Sequence, residues 1–232
     1  DLLDPANMVD KVNAIVLAGG SAFGLEAATG AVRWLEEHDM GWDVRIAKVP
    51  IVPSAILFDL PVGGNPKVRP TADCGYKAAA AATSGPVQEG SVGAGAGATV
   101  GKSGGGNRAM KAGLGSYAIR MPNGLVVGAI VAVNAVGDII DPDTGKIVAG
   151  VRNQDNTFAD ARQILRQGGP SQTPRPGQNT TIGLVATNAK LSKADVHRMA
   201  MMADDGFARA IFPSHTMGDG DTVFSLATGT WS

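Results

Sequence analysis

Leu114-Gly115-Ser116-Tyr117-Ala118-Ile119-Arg120-Met121-Pro122-Asn123-Gly124-Leu125-Val126-Val127-Gly128-Ala129-Ile130-Val131-Ala132-Val133 reads as two strands joined by a tight turn. Asn-Gly between two apolar runs is a strong hairpin signal, because both residues tolerate the positive φ that such turns need. A hairpin pairs its strands antiparallel, which a purely parallel, doubly wound sheet does not contain. Strands and helices on either side are mixed without strict alternation. The expected fold class is therefore α+β, a layered sandwich.

Toward the N-terminus, Val12–Ala18 reads as a buried strand. Gly19-Gly20-Ser21 turns it into a helix through about Glu37, with Leu25, Ala28, Val32 and Leu35 along one face and Gly41 as a stop signal. Pro50 and Pro53 interrupt the apolar stretch Val49–Leu60, so a packed loop or edge is expected there. Asp73–Ala82 is Ala-rich and helical in propensity. Ser91–Thr99 alternates small residues with glycine, as in a strand that another element approaches closely.

Toward the C-terminus, a turn at Asp141–Gly145 leads into Lys146-Ile147-Val148, and a short helix is expected at Ala159–Arg166. Gly168–Gln178 is a Pro/Gly-rich linker, followed by a strand at Thr181–Thr187. Ser192, with Asp195 three residues on, opens a helix to about Ile211, weakened at Gly206. Met199, Met202, Ala203 and Ala210 are expected in the core, and Thr222–Thr228 as a final strand.

The length of 232 residues suits one large domain, and 44% hydrophobic residues suffice for a core. A formal net charge of −1 offers no electrostatic basis for binding nucleic acid or an anionic membrane. No apolar run is long enough to span a bilayer. A lone cysteine, Cys74, excludes an intrachain disulfide and fits a reducing, cytoplasmic setting; it reads as a small buried thiol. The chain opens on Asp1 rather than Met and stops at Ser232 just after a strand, which suggests that parts of both termini are missing.

Asn179-Thr180 stands where the linker meets a strand. A hydroxyl delivered to that point can attack the preceding carbonyl and, after ester hydrolysis, become a new N-terminal threonine. The freed α-amine, with an ordinary pKa of about 7.7–8.0, can then act as base for its own hydroxyl. Three other patterns carry less. Ala96–Ser103 fits a loose phosphate-loop pattern, but Gly104-Gly105-Gly106 follows where a helix must begin. Gly20–Gly24 resembles a nucleophile elbow one residue out of register and reads better as a glycine turn. Asp219-Gly220-Asp221 places two carboxylates close together without the ligands of a calcium loop, and His215 nearby has no marked partner serine.

Four separated motifs occur in one order: Val12–Leu25, Val49–Pro53, Asn179–Ile182 and His215–Thr222. Together they resemble the self-cleaving aminopeptidase family that includes L-aminopeptidase/D-esterases, β-aminopeptidases and nylon-oligomer hydrolases. The resemblance implies a four-layer αββα fold shared with ornithine acetyltransferase. It implies one catalytic domain cut into residues 1–179 and 180–232, which stay together. It also implies amide hydrolysis of small peptides or amide oligomers without a cofactor or metal, and a homo-oligomer of the resulting α/β heterodimers. By position, Thr180 matches the nucleophile and Asn179 the residue before the cut. Asp219 and Asp221 match the acidic pair, Asn134 an oxyanion donor and Lys102 a lysine beside the nucleophile. Ser21, Phe23 and Phe58 fall at the substrate pocket. Thr180 with the Asp-Gly-Asp pair is most similar to the nylon-oligomer hydrolase branch. Phe58 stands where characterised relatives carry a tyrosine, so a hydroxyl is lost there. Asn134→Ala is expected from this reading to slow turnover without unfolding the chain. Acyl transfer to an amine is the alternative within the fold, and a nucleotide site at residues 96–103 the alternative outside it.

Overall fold

The structure is a computed structural model that describes residues 1–169 and 178–231. Most of the linker read from the sequence, residues 170–177, lies outside the described residues. The elements run β1 (Val16–Ala18), a 3-10 turn (Ser21–Leu25), α1 (Glu26–Glu37), β2 (Trp42–Asp43), β3 (Lys48–Val49), β4 (Ser54–Ile56) and α2 (Ala72–Ala80). A second 3-10 turn (Gly93–Gly97) precedes β5 (Thr99–Val100), β6 (Met110–Lys111), β7 (Leu114–Arg120), β8 (Val126–Ala132), β9 (Asp138–Ile140) and β10 (Ile147–Ala149). Then follow α3 (Ala161–Arg166), β11 (Ile182–Thr187), α4 (Lys193–Ala210), β12 (Ile211–Phe212) and β13 (Thr222–Ala227).

The hairpin forms as the Asn-Gly signal requires. β7 and β8 pair antiparallel from Leu114 opposite Ala132 to Arg120 opposite Val126, and Gly124 takes φ 89° in the turn. They belong to a mixed four-stranded sheet ordered β13-β11-β8-β7. β11 is antiparallel to β8, with Ile182 opposite Ala132, and parallel to β13, with Ile182 opposite Thr222. A second, small parallel sheet pairs β1 with β4.

Ala55 of β4 and Leu57 just after it pack with Ala94, Ala98, Ala132 and Ile182 between the two sheets. α4 covers the outer side of the larger sheet, and Phe207 and Ile211 pack with Val100 and Ala135. The α1–α2 pair flanks the β1 side. The order helix pair, sheet, sheet, helix is the αββα layering of an α+β fold.

Several local expectations change. Ser91–Thr99 is mostly a 3-10 turn, although the close approach holds: a Cβ at Gly95 would lie 2.3 Å from the Leu114 nitrogen. Val49–Leu60, expected as a packed loop or edge, contains the short strand β4, an edge of the two-stranded sheet with β1, and both prolines precede its paired residues. The buried face of α1 is Ala27, Gly30, Ala31 and Leu35, while Leu25 is exposed. The cause is the helix partner. A Cβ on Gly30 would sit 1.7 Å from the Ala72 carbonyl oxygen, and one on Gly75 1.7 Å from that of Ala27. Small residues therefore define the contact face. Cys74, beside Gly75, is correspondingly exposed and not buried.

α4 begins with the expected capping box and runs unbroken through Gly206, but Met202 faces solvent and Phe207 is the buried anchor. Gly30→Ala or Gly75→Ala forces the two helices apart and should destabilise the protein by about 2–3 kcal/mol, read from denaturant unfolding.

Candidate active site

The larger sheet continues past its strand ends with the same register. Thr180 lies two residues before β11, and its N–H donates to the Asn134 carbonyl just beyond β8 (3.0 Å). On the other side, Asn179 bridges Asp219 in the parallel sense, and the Gly220 N–H donates to the Asn179 carbonyl (2.8 Å). The Asn179–Thr180 peptide is thus held at both its N–H and its C=O. Both residues are about 6% exposed. The Thr180 hydroxyl donates to the Asn179 carbonyl oxygen at 2.6 Å, which sets the candidate nucleophile against the bond it would cut.

Lys102 enters from the turn after β5. Gly101 takes φ 70°, and a Cβ there would lie 2.2 Å from Gly150 and Val151 backbone atoms, so only glycine lets the chain bend toward the sheet. Lys102 Nζ then donates to the Asn134 carbonyl (2.9 Å) and to Asn134 Oδ1 (2.8 Å). The Asn134 carbonyl therefore accepts from both Lys102 and the Thr180 N–H. Burial lowers the Lys102 pKa from 10.5 to about 8, against the opposing charges of Asp219 and Asp59.

Asn134 is fully buried and acts as the hub. Its Oδ1 also accepts the Thr99 N–H (3.1 Å), and its Nδ2 donates to the Phe58 carbonyl (2.9 Å). The oxyanion role expected for this side chain meets competition, since one Nδ2 proton already holds Phe58. The side chain ties three segments of chain together.

The acidic pair divides its work. Asp221 Oδ1 accepts the Thr181 N–H (2.7 Å), which anchors the residue after the candidate nucleophile. Its Oδ2 lies 3.3 Å from His215 Nδ1, and His215 Nε2 lies 3.9 Å from Asp204. Burial pushes the Asp221 carboxyl up; the Thr181 N–H pulls it down, Asp219 adds to the rise and His215 opposes it. Asp219 Oδ2 accepts from the Thr216 N–H (3.0 Å) and hydroxyl (2.8 Å). Asp219 Oδ1 is buried and has no hydrogen-bond partner among the described residues.

Thr180, Asn179, Asn134, Lys102, Asp219 and Asp221 thus converge. Phe58 joins them through its carbonyl, not through its ring. Ser21 is one step removed: it sits at φ 54° and its N–H donates to the Leu57 carbonyl. Phe23 is exposed, with the Arg69 guanidinium 3.7 Å from its ring centre, and no contact joins it to the cluster among the described residues. The loose phosphate-loop pattern does not make a phosphate site. Lys102–Gly104 is one 3-10 turn, and the lysine is occupied by Asn134. Sequence reasoning missed the Gly220 N–H and the Thr216 clamp on Asp219. It gave His215 little weight, and the histidine serves Asp221 instead of a serine.

A buried lysine with a lowered pKa favours the neutral amine in the folded state. Its contribution is therefore complete above pH 10.5 and is lost as pH falls through about 8. Between those values the unfolding free energy of the wild type should rise by about 3 kcal/mol relative to Lys102→Met. Parallel curves for the two proteins would remove the assignment.

The sequence profile described as Peptidase family S58 matches residues 1–232. An uncharacterized aminopeptidase of Mycobacterium leprae is 47% identical over 244 residues, 99% of this chain and 63% of the relative. A 6-aminohexanoate-oligomer endohydrolase of Kocuria sp. is 31% identical over 231 residues, 94% of this chain and 61% of the relative. The chain therefore spans somewhat under two thirds of the length of these relatives. The L-aminopeptidase D-ala-esterase/amidase of Ochrobactrum anthropi superposes with a TM-score of 0.60 at 22% identity, covering 88% of this chain and 50% of that one. Its description places it among variants of the Ntn hydrolase fold, and the likeness bears on fold alone.

Proposed function

The chain belongs to peptidase family S58, and from that premise we propose that it is a self-cleaving N-terminal-threonine amidohydrolase. Its substrates are small peptides or amide oligomers, cleaved through an acyl-enzyme. The observation that carries this reading is the Thr180 hydroxyl 2.6 Å from the Asn179 carbonyl oxygen, buried beside Lys102 and the Asp219–Asp221 pair.

Self-cleavage at Asn179/Thr180 divides one catalytic domain into residues 1–179 and 180–232. The Thr180 amine then takes the proton of its own hydroxyl as the oxygen attacks a substrate carbonyl, and water hydrolyses the resulting ester. Lys102 lowers the pKa of that amine and the carboxylates raise it. Asp219 Oδ1, buried without a partner among the described residues, is the acceptor suited to the new amine. Asp221 holds the Thr181 N–H and so fixes the backbone on which Thr180 sits. Asn134 positions Lys102 and, through its second Nδ2 proton, supplies a donor for the substrate oxyanion. Assembly into a homo-oligomer of α/β heterodimers and a cytoplasmic setting belong to the same proposal.

The relative that acts on 6-aminohexanoate oligomers supports short linear amides as the substrate class. Two measurements test the reading. Intact mass under denaturing conditions should give two fragments meeting at Asn179/Thr180. Incubation with 6-aminohexanoate oligomers or small peptide amides, with and without an acceptor amine, should release free acid in both cases. A single uncut chain without hydrolysis would overturn the proposal, and product formed only with the acceptor present would make the enzyme an acyltransferase.

A further inference from the structure

The self-cleavage step has a candidate oxyanion donor that is not a side chain. Asp219-Gly220-Asp221 draws attention to its two carboxylates, yet the atom on the scissile carbonyl is the nitrogen between them. The Gly220 N–H donates to Asn179 O at 2.8 Å. A Cβ on Gly220 would lie 3.2 Å from Thr180 Oγ1 and 3.8 Å from Asn179 O, so the residue faces both the nucleophile and the carbonyl oxygen.

This contact follows from sheet geometry. β11 and β13 run parallel, with Ile182 opposite Thr222 and every later pair at the same offset. The bridge between Asn179 and Asp219 keeps that offset beyond the strand ends, and Thr222 N–H to Thr181 O (3.0 Å) is the next rung. The β8 side behaves alike: Ile182 faces Ala132, and the Thr180 N–H reaches Asn134 O. The scissile peptide is a rung of the sheet, gripped from both neighbours before any chemistry begins. A donor already fixed on an oxygen needs no reorganisation when that oxygen becomes an anion.

Resting on the self-cleavage reading above, we propose that the backbone N–H of Gly220 is the oxyanion donor of self-cleavage at Asn179–Thr180. Thr180 Oγ1 forms a bond to the Asn179 carbonyl carbon, and the carbonyl π pair moves onto Asn179 O, where the Gly220 N–H holds it. The pair returns as the C–N bond breaks. The hydroxyl proton of Thr180 ends on the Thr180 nitrogen, passed by Lys102, whose Nζ shares the Asn134 carbonyl with that nitrogen. Water then cleaves the Asn179 ester, giving the Asn179 carboxylate and restoring the Thr180 hydroxyl. A Cβ at 220 would stand 3.2 Å from Thr180 Oγ1, so glycine leaves the nucleophile uncrowded.

The test removes one hydrogen. Full-length protein is made with glycolic acid in place of Gly220, which exchanges the N–H for an ester oxygen. A matched control carries the α-hydroxy analogue of threonine at Thr222, which breaks the next rung at the same cost to the ladder. The appearance of the 180–232 fragment is followed by mass spectrometry, with circular dichroism confirming the fold of each protein. The Gly220 ester should cleave more slowly than wild type by on the order of 10²–10³-fold, the usual loss of one oxyanion donor, and the Thr222 ester at near the wild-type rate. Equal slowing in both esters would assign the effect to sheet rigidity and overturn the proposal, as would wild-type cleavage by the Gly220 ester. A wild-type chain that never cleaves would overturn the self-cleavage reading itself, an outcome distinct from either.

Discussion

Thr180→Ala should run as a single chain of full mass and hydrolyse no amide substrate, with turnover down by a factor on the order of 10⁴–10⁶. The substitution deletes the hydroxyl that lies 2.6 Å from the Asn179 carbonyl oxygen. It leaves the bonds that hold the segment, because Thr180 N–H to Asn134 O and Gly220 N–H to Asn179 O are both backbone contacts. The variant should therefore keep the wild-type fold and unfold at a similar denaturant concentration, which separates lost chemistry from lost structure. Thr180→Ser keeps the hydroxyl and should still cleave. Fragments meeting at Asn179/Thr180 in the alanine variant would mean that another group makes the cut.

Asn134→Ala should destabilise the protein by about 3–5 kcal/mol. This reverses the expectation, drawn from resemblance, that the change would only slow turnover. Truncation leaves the Thr99 N–H and the Phe58 carbonyl without their partner and deprives Lys102 of one of its two acceptors, around a side chain that is fully buried. Each buried group left unpaired costs about 1–3 kcal/mol, and more where a charge is involved. Denaturant unfolding gives the size, and a loss under about 1 kcal/mol would show that the hub relaxes around the gap. Asn134→Asp is the informative companion. Its carboxylate still accepts from Thr99 and Lys102, but the negative charge favours protonated Lys102. The Lys102 pKa, about 8 in the wild type, should then move upward, read from the pH dependence of unfolding.

Much of the chain is legible because it is locally encoded. The β7–β8 hairpin follows from Asn123-Gly124 between two apolar runs, and α4 begins where Ser192 and Asp195 form their reciprocal cap. α2 and β11 lie within a few residues of where composition puts them. Asn179-Thr180 is visible as a hydroxyl residue where a linker meets a strand, whereas the roles of nucleophile and acidic pair come from the resemblance of four ordered motifs to the self-cleaving aminopeptidase family.

What stayed hidden depends on partners distant in sequence. Alternating glycine in Ser91–Thr99 reads as a strand, but the chain forms a 3-10 turn there, with the Leu114 backbone against Gly95 and Asp59 against Gly97. The apolar pattern of α1 points to Leu25, Ala28, Val32 and Leu35; Leu35 is buried as expected, but the α2 backbone pressed on Gly30 puts Ala27 and Ala31 in the contact and Leu25 is exposed. Met202 reads as core by hydropathy and lies in solvent, while Phe207 on the same helix is buried.

The sequence by itself determined the residue types of the site, the hairpin that makes the fold α+β, and the start and stop signals of its helices, all functions of neighbours a few positions apart. Only the tertiary structure decided which backbone groups meet. The register of β11 against β8 and β13 sets the Asn134 carbonyl and the Gly220 N–H on the Asn179–Thr180 peptide, and burial in that sheet brings Lys102 down to about 8. Backbone hydrogen bonds carry no side-chain signature, and desolvation is a property of the packed whole, so neither is written in any local run of residues.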